Sequence, residues 1–204
     1  MRFTRKALAA SIVAVVALTA GCSGSAGKPP AYRLNGDACS VVPVDYFQSL
    51  TGAAPTKTPS QLRDGMQGGE CALDFEGSGG FLKQDVFIAI RDDESAAKSM
   101  FDDFKSSDQK SAQTASIGDK GTVTDVKNLG DAAYVDYQYD DSRPWSPDQA
   151  FLYKYGVRHG TLVLTVTASG AAPSGNPGSW PATEAALRGK VQDVVRTVMK
   201  NLTR

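Results

Sequence analysis

Few side chains in this chain have the type and spacing that catalysis requires. Its one histidine, His159, stands beside Gly160 in a predicted turn, and no Gly-x-Ser-x-Gly sequence is present to carry a nucleophilic serine. A Ser-His-Asp triad needs a histidine held between its partners by the scaffold, and a zinc site needs three or four ligands. We therefore predict that His159 is a surface residue, and that the protein is not an enzyme and carries no metal or cofactor.

Three acidic doublets, at 92–93, 102–103 and 140–141, are the other candidates for chemistry. None of them has the alternating oxygens, glycine bend and closing glutamate of a calcium loop. The first doublet is predicted to cap a helix and the second to lie on a solvated helix face. Asp136 together with the 140–141 doublet could hold a cation loosely. Two carboxylates could also serve a glycosidase if the fold set them at the required distance.

Two tryptophans are the candidate binding residues. Trp145 stands close to Arg143 in a segment rich in proline and serine, and Trp180 lies in a second segment rich in proline and glycine. Both segments are predicted loops, where binding residues concentrate, and Trp and Arg are enriched at interface anchors. Trp145, Arg143 and Trp180 are therefore candidate ligand contacts in the loops 140–149 and 170–181. The alternative is that each indole ring folds back over the edge of the core.

The first of the three cysteines, Cys22, ends an export signal. Residues 1–6 carry three basic side chains and no acid, and the apolar run 7–20 has secretory-signal length. A bilayer span needs about 20 apolar residues. Residues 18–22, Leu-Thr-Ala-Gly-Cys, resemble the bacterial lipobox, in which a diacylglyceryl group is attached to the cysteine sulfur. The resemblance implies a signal peptide at 1–21 and lipidation of Cys22; the alternatives are an ordinary signal peptide or an uncleaved anchor.

Lipidation would place the protein on the extracytoplasmic face of the cell membrane, since two acyl chains are enough for stable attachment. An exported domain meets an oxidising environment, in which the two remaining cysteines tend to pair. Cys39 and Cys71 are therefore predicted to form a structural disulfide. Closing a loop of about 33 residues would constrain the unfolded chain by roughly 3–4 kcal/mol. The alternative, a reactive thiol pair, usually has closer spacing, as in Cys-x-x-Cys.

The mature chain is predicted to be one domain on a tether. Residues 22–36 are small, polar and rich in glycine and proline, which is typical of a flexible tether. Residues 37–204 then form one extracytoplasmic domain with a core of ordinary size. Without the signal, the chain holds 19 basic and 22 acidic residues, a formal charge of −3. We expect no nucleic-acid partner, because there is no basic excess to neutralise phosphates.

Hydrophobic periodicity predicts an α+β fold. The predicted helices cover 43–50, a segment from the Asp92-Asp93 cap to about 106, and a long C-terminal stretch at 182–202. The predicted strands cover 71–75, 85–91, 122–126, 132–139, 151–155 and 161–169, and the segments 53–69 and 107–120 are predicted loops. Hairpin-like connections favour a mostly antiparallel sheet with helices packed against it. Each half has a helix followed by strands, so the sequence leaves open whether the domain arose by internal duplication.

Several motifs coincide in this chain. They are the lipobox, the run from Cys39 to Phe47, a second cysteine in a strand, the Leu-Gly-Asp-Ala-Ala-Tyr run at 129–134 and a valine-rich terminal helix. Together they resemble the small actinobacterial secreted lipoproteins of a domain-of-unknown-function family, over about residues 37–203. The architecture is also similar to extracellular sensor domains of bacterial receptor kinases. The resemblance implies a cell-surface location and a fold, and brings no catalytic residues.

These observations predict a lipid-anchored extracytoplasmic lipoprotein that binds or senses a protein or a small molecule at the cell surface. The membrane contact is the lipid on Cys22, and the ligand contact is formed by the loops 140–149 and 170–181. One alternative is an enzyme that acts on envelope material through carboxylates. Another is a carrier for a lipid or a small ligand, which needs a cavity between the sheet and the helices.

Overall fold

The structure, a computed structural model, describes residues 31–62, 66–77, 80–114, 120–139, 150–171 and 184–203. The helical elements are a 3-10 turn at Ala38–Val41, α1 (Asp45–Thr51), α2 (Glu94–Thr114) and α3 (Glu184–Asn201). The strands are β1 (Thr56–Gln61), β2 (Gln67–Gly77), β3 (Gly80–Ile90), β4 (Lys120–Asp125), β5 (Ala132–Tyr139), β6 (Ala150–His159) and β7 (Leu162–Ala171).

The seven strands form one open sheet in the order β1-β2-β3-β7-β6-β5-β4, and every neighbouring pair is antiparallel. β3 and β7 pair near the middle of the sheet, and β1 and β4 are its edges. Helices pack against this sheet, so the predicted α+β architecture is confirmed, including the long C-terminal helix.

Each face of the sheet is covered by different helices. Leu162 and Leu164 point to the face that also carries α1 and α3, which we call the α3 face, whereas Val163 between them points to the α2 face. This alternation follows from the two-residue period of a strand. The larger core lies on the α3 face. The side chains of α3 and of Leu202 just after it that enter this core repeat at the spacing of one helical face: Val191, Val194, Val195, Val198 and Leu202.

Local signals read from the sequence set the helix ends. Gly52 stops α1 in the left-handed conformation, with φ of 71°, and its N–H donates to the carbonyl of Gln48. The carboxylate of Asp93 accepts from the N–H of Ala96 over 2.8 Å and so caps α2, as predicted. Within the described ranges, no helix combines the length and apolar composition that a membrane crossing requires.

Two predicted loops are partly wrong. The segment 53–69 contains β1 and the start of β2, and β1 is exposed along its whole length. Its sequence therefore has no apolar alternation, and pairing with β2 makes it a strand. The segment predicted as loop from 107 onward continues α2 to Thr114. Ala112 near the end of α2 packs closely on Gly121 of β4, since a Cβ added to Gly121 would come within 2.7 Å of Ala112. This contact with the sheet extends the helix.

The two halves of the chain are not related as a simple duplication. A twofold axis between the central strands β3 and β7 would place the helix after β3 and the helix after β7 on the same face of the sheet. The helix after β3 is α2, and the helix after β7 is α3; they pack on opposite faces.

Candidate functional site

The residues selected from the sequence have different outcomes. The candidate lipidation and binding residues lie outside the described residues: Cys22, Arg143, Trp145 and Trp180. Cys39 and Cys71 form a disulfide, with their Cα atoms 4.9 Å apart. This bond joins the 3-10 turn to β2 within the core on the α3 face. The disulfide prediction is confirmed.

The strands beside the two predicted binding loops end on one side of the sheet. β5 ends at Tyr139 and β6 begins at Ala150, which pairs with Ala171 at the end of β7. We call this side the loop end. The connection between β6 and β7, at Gly160 and Thr161, lies at the opposite side, the turn end. The 10 residues of β6 separate the two ends by about 30 Å.

Tyr32 holds the N-terminal segment against the turn end. Its buried ring lies edge-on to His159, and its hydroxyl is 2.5 Å from Nδ1 of that ring. The N–H of Arg33 donates to the carbonyl of Leu202, just after α3, over 2.9 Å. Burial, and to a smaller extent Asp131, raises the pKa of Tyr32 to about 12. Tyr32 falls in the segment that the sequence predicts as a tether, and it packs on the domain as a neutral phenol.

Asp131 fixes the connection between β6 and β7. Its Oδ2 accepts from the N–H of Gly160 over 2.8 Å and from the guanidinium of Arg158 over 3.2 Å. Its Oδ1 lies 3.8 Å from Nε2 of His159. The aspartate of the Leu-Gly-Asp-Ala-Ala-Tyr run is thus a structural residue. His159 is part of the same packing: it contacts Tyr32, and its side chain is 26% exposed beside the turn.

A buried polar cluster lies between α2 and the sheet. We define it by five residues: Asp108, Tyr134, Asp136, Gln138 and Lys154. The Tyr134 hydroxyl donates to one Asp108 oxygen over 2.6 Å, and the Lys154 ammonium donates to the other over 2.8 Å. Gly156 makes room for the Tyr134 ring, because a Cβ at that position would be 2.2 Å from it. The cluster therefore ties the middle of α2 to β5 and β6.

Asp136 is the more deeply buried acid of this cluster, with 2% of its surface exposed. Its Oδ2 accepts from Nε2 of Gln138 over 3.0 Å, while its Oδ1 and the Gln138 Oε1 have no partner in the described part of the chain. Burial raises the pKa of Asp136 to about 6; the Gln138 bond opposes this and the nearby Asp108 adds to it. Asp136 thus lies beneath α2, whereas the doublet 140–141, grouped with it from the sequence, lies outside the described residues.

Gln84 is a fully buried polar side chain on the α3 face, and sequence reasoning missed it. It is 0% exposed, and neither its Nε2 nor its Oε1 has a hydrogen-bond partner among the described residues. Its cross-strand neighbours are Leu73 and Ala168, and Tyr153 follows on β6. Tyr153 stacks on the ring of Tyr137, with 4.5 Å between the ring centres. The sequence signal for this burial is weak, because Gln84 stands in a polar run and only the alternation of Leu82 and Val86 with Lys83 and Asp85 indicates a row that faces the core.

An open groove of about 440 Å³ lies on the α2 face, where α2 leaves β1, β2 and β3 uncovered. Its polar lining comes from Thr58, Ser60, Glu70, Lys83, Asp85 and Thr165. Lys83 and Asp85 form an ion pair at 3.3 Å. Burial raises the pKa of Asp85, although Lys83 opposes the shift. The charged side chains in this lining are Lys83 and the two acids Glu70 and Asp85, so the groove carries both signs of charge.

The comparisons with known proteins identify no relative. No family model, no curated protein and no solved structure matches this chain. The likeness to actinobacterial lipoproteins therefore stays a prediction from short motifs. Over the residues that the structure describes, no three His, Cys, Asp or Glu side chains come together to form a metal site. Any functional conclusion has to come from the geometry of this chain.

Proposed function

We propose that the protein is a lipid-anchored extracytoplasmic lipoprotein that presents a binding or sensing surface at the loop end of its sheet. The observation that carries the proposal is the position of Tyr32. The chain that arrives from Cys22 is bound to the domain at the turn end, by Tyr32 and Arg33. β5 ends, β6 begins and β7 ends on the opposite side, next to the predicted loops 140–149 and 170–181.

The length of the intervening chain adds to this argument. Ten residue steps separate Cys22 from Tyr32, and a fully extended chain covers at most about 3.3–3.6 Å per residue. A lipid on Cys22 would therefore keep the turn end within roughly 35 Å of the bilayer. The loop end lies about 30 Å further along the sheet. A partner that approaches from outside the membrane would meet the loop end first.

The disulfide supports export. Cys39 and Cys71 are paired, and structural disulfides persist in oxidising compartments outside the cytoplasm. The pairing also leaves Cys22 as the one cysteine outside this bond, as the lipidation hypothesis requires.

The test has two parts, both in intact cells. Mass spectrometry of the mature N-terminus should find a diacylglyceryl group on Cys22, and a retained residue 1 or an unmodified cysteine would disprove the anchor. A photo-crosslinking amino acid is then placed at Trp145, at Trp180 and, as a control, at the exposed Lys127 near the turn end. We expect adducts from the two tryptophan positions and none of the same kind from Lys127. Equal adducts from all three positions would disprove the loop-end surface.

A second candidate function, a carrier for a small ligand, is favoured by one observation. Gln84 has two unpartnered polar atoms inside the core on the α3 face, and a carrier would need a cavity beside them. For an enzyme that uses carboxylates, the nearest observation is the pair Glu70 and Asp85 in the α2-face groove, where Lys83 already forms an ion pair with Asp85 at 3.3 Å. Both oxygens of Asp108 are occupied, and Asp136 is covered by α2.

A further inference from the structure

Arg91 is a partly buried cation on the α2 face. It directly follows β3, and strand alternation places it on the same face as Phe87 and Ala89. Within the described ranges its guanidinium makes one hydrogen bond, in which Nη1 donates to the sulfur of Met66, while the buried Nε has no partner. A thioether is a weak acceptor and carries no charge, so this contact leaves the guanidinium without a counter-ion.

Other cations near α2 show what Arg91 lacks. Four ammonium groups each lie within 3.3 Å of an aspartate oxygen, those of Lys83, Lys98, Lys105 and Lys154. Arg91 also has acids next to it in the chain, Asp92 and Asp93, but the carboxylate of Asp93 accepts from the N–H of Ala96. A cation that is partly removed from water gains most when an anion pairs with it. Among the described residues, none supplies that anion to Arg91.

A groove of about 450 Å³ opens beside Arg91, and we call it the Arg91 groove. The rest of its lining comes from two neighbouring rows of α2, in which residues repeat every four positions: Ala96, Met100 and Phe104 in one row, and Ser99 and Asp103 in the other. Met100 and Phe104 are partly buried and pack against the core of the α2 face. The groove thus places an apolar wall next to a guanidinium.

We propose that the Arg91 groove binds a small-molecule carboxylate with an apolar body. A guanidinium has five N–H donors; one bonds to Met66 and the one on Nε is buried, which leaves three for a ligand. Its planar fork matches the two oxygens of a carboxylate. The row that contains Met100 and Phe104 gives the apolar body a surface on which it can leave water.

Asp103 explains why a simple anion is not the ligand. Its exposed carboxylate belongs to the lining of the groove and repels any anion that approaches Arg91. An ion such as acetate or phosphate gains only the guanidinium contact and has to overcome this repulsion. A ligand with an apolar body gains contact with the wall as well, so we expect the body to contribute part of the affinity.

This inference goes beyond the proposed surface at the loop end and does not rest on it. The backbone N–H of Arg91 donates to the carbonyl of Thr161 over 2.9 Å, in the connection between β6 and β7. Arg91 therefore lies at the turn end, on the other side of the sheet from the predicted loops 140–149 and 170–181. The two surfaces can be tested separately.

The test uses the whole mature chain in nanodiscs of neutral phospholipid, labelled with 13C at the methionine methyl groups. Met66 and Met100 lie at the groove, whereas Met199 on α3 reports from the opposite face of the sheet. Each signal is assigned by its loss in the corresponding leucine variant. Hexanoate is the probe, and empty nanodiscs correct its free concentration. We expect saturable shifts of the Met66 and Met100 signals and no shift at Met199.

Two analogues separate the parts of the ligand. Hexanamide has the same apolar body without the charge, and it should bind at least about 10-fold more weakly because it loses the charge-assisted contact. Acetate keeps the charge but has a methyl group in place of the pentyl chain, and it should also bind at least about 10-fold more weakly. Equal binding of hexanamide would refute the role of the guanidinium, and equal binding of acetate would refute the apolar body.

Variants test the assignment to Arg91. Arg91→Met keeps an apolar stem and removes the charge, so its affinity for hexanoate should fall to that of hexanamide. Lys98→Met is the matched control, because it removes an exposed cation from α2, with 66% of its side chain exposed, and should keep the affinity. Asp103→Asn should bind hexanoate more tightly and hexanamide equally well. An unchanged Met199 signal checks that each variant is folded, and the analogues test the unmutated protein in any case.

The proposal is wrong if hexanoate causes no saturable shift at the two groove methionines, or if Arg91→Met and Lys98→Met bind it equally well. Failure of this test is distinct from failure of the proposed function. Crosslinks from Trp145 and Trp180 without hexanoate shifts would remove the Arg91 groove and leave the loop-end surface standing. Hexanoate binding without these crosslinks would support the groove and favour a carrier over a surface module.

Discussion

Replacing Asp108 by alanine tests whether the buried polar cluster holds α2 on the sheet. The Asp108 carboxylate accepts from the Tyr134 hydroxyl and from the Lys154 ammonium. The side chains of Lys154 and Asp108 are only 23% and 11% exposed. Removing the carboxylate leaves a hydroxyl and a charged ammonium without their acceptor beneath the helix. We expect α2 to lose its main polar contact with β5 and β6.

The magnitude follows from the burial of the pair. Removing one partner of a fully buried ion pair costs about 3–5 kcal/mol, and an exposed pair contributes about 1 kcal/mol or less. Lys154 retains some solvent contact, so we expect Asp108→Ala to lower the free energy of unfolding by about 2–4 kcal/mol. At roughly 2–4 °C per kcal/mol for a domain of this size, the Tm should fall by about 4–16 °C. Asp108→Asn keeps an acceptor for Tyr134, so its free energy of unfolding should lie between those of the unmutated protein and Asp108→Ala.

The assay is urea unfolding followed by circular dichroism, with the disulfide oxidised and the m-value checked for constancy. Asp102→Ala is the matched control, because Asp102 pairs with Lys98 on the same helix at 52% and 66% exposure. Losing this exposed ion pair should lower the free energy of unfolding by no more than about 0.5 kcal/mol. Equal effects of the two variants would refute the reasoning that burial makes the Asp108 contacts strong.

Three further predictions concern the pH dependence, the glycines and the disulfide. Burial holds the pKa of Asp136 at about 6, above its ordinary value of 3.8, so the contribution of this residue to stability should be fully present below pH 4 and should fall by about 1–3 kcal/mol as the pH rises through 6. Asp136→Asn should reduce the change in the free energy of unfolding between pH 4 and pH 7.5, measured by urea titration. An unchanged difference would mean that other groups cause the pH dependence. Gly156→Ala should lower the Tm, because the added Cβ would lie 2.2 Å from the Tyr134 ring. Gly189→Ala should raise the free energy of unfolding by about 1 kcal/mol, because Gly189 lies within α3 and has open space around it. A higher Tm for Gly156→Ala than for Gly189→Ala would contradict the packing. Replacing both Cys39 and Cys71 by serine should cost about 3–4 kcal/mol, and reducing agent should then have no further effect on the Tm.

The parts of the fold that were predictable from sequence are those whose side chains alternate or repeat. β5 was predicted at 132–139 and the structure places it at Ala132–Tyr139, because its apolar residues follow the two-residue period of a strand. The valine stripe of α3 has the period of a helix and lies in the core. β1 has no such pattern, since it is exposed on both faces. Its conformation is set by β2, and a partner strand is not visible in a local window of sequence.

The buried polar cluster was not predictable for a related reason. Asp108 and Lys154 are 46 positions apart in the chain, and the segment that contains Asp108 was assigned to a loop because it is polar. Lys154 does carry a local signal, since it stands between Tyr153 and Tyr155 in a strand whose tyrosines are buried. A lysine on the opposite face of such a strand needs a carboxylate partner only where that face is covered as well, and the sequence shows neither the covering helix nor the partner.

Gln84 shows how strand geometry can override the polarity of a residue. In the sequence it stands between Lys83 and Asp85, which suggests a solvent-exposed segment. Leu82 and Val86 decide otherwise, because residues two apart on a strand share a face and both of these enter the core. Gln84 is therefore placed in the core by its neighbours, not by its own chemistry. An amide at such a position lowers stability unless something bonds to it, and an apolar residue would remove that cost.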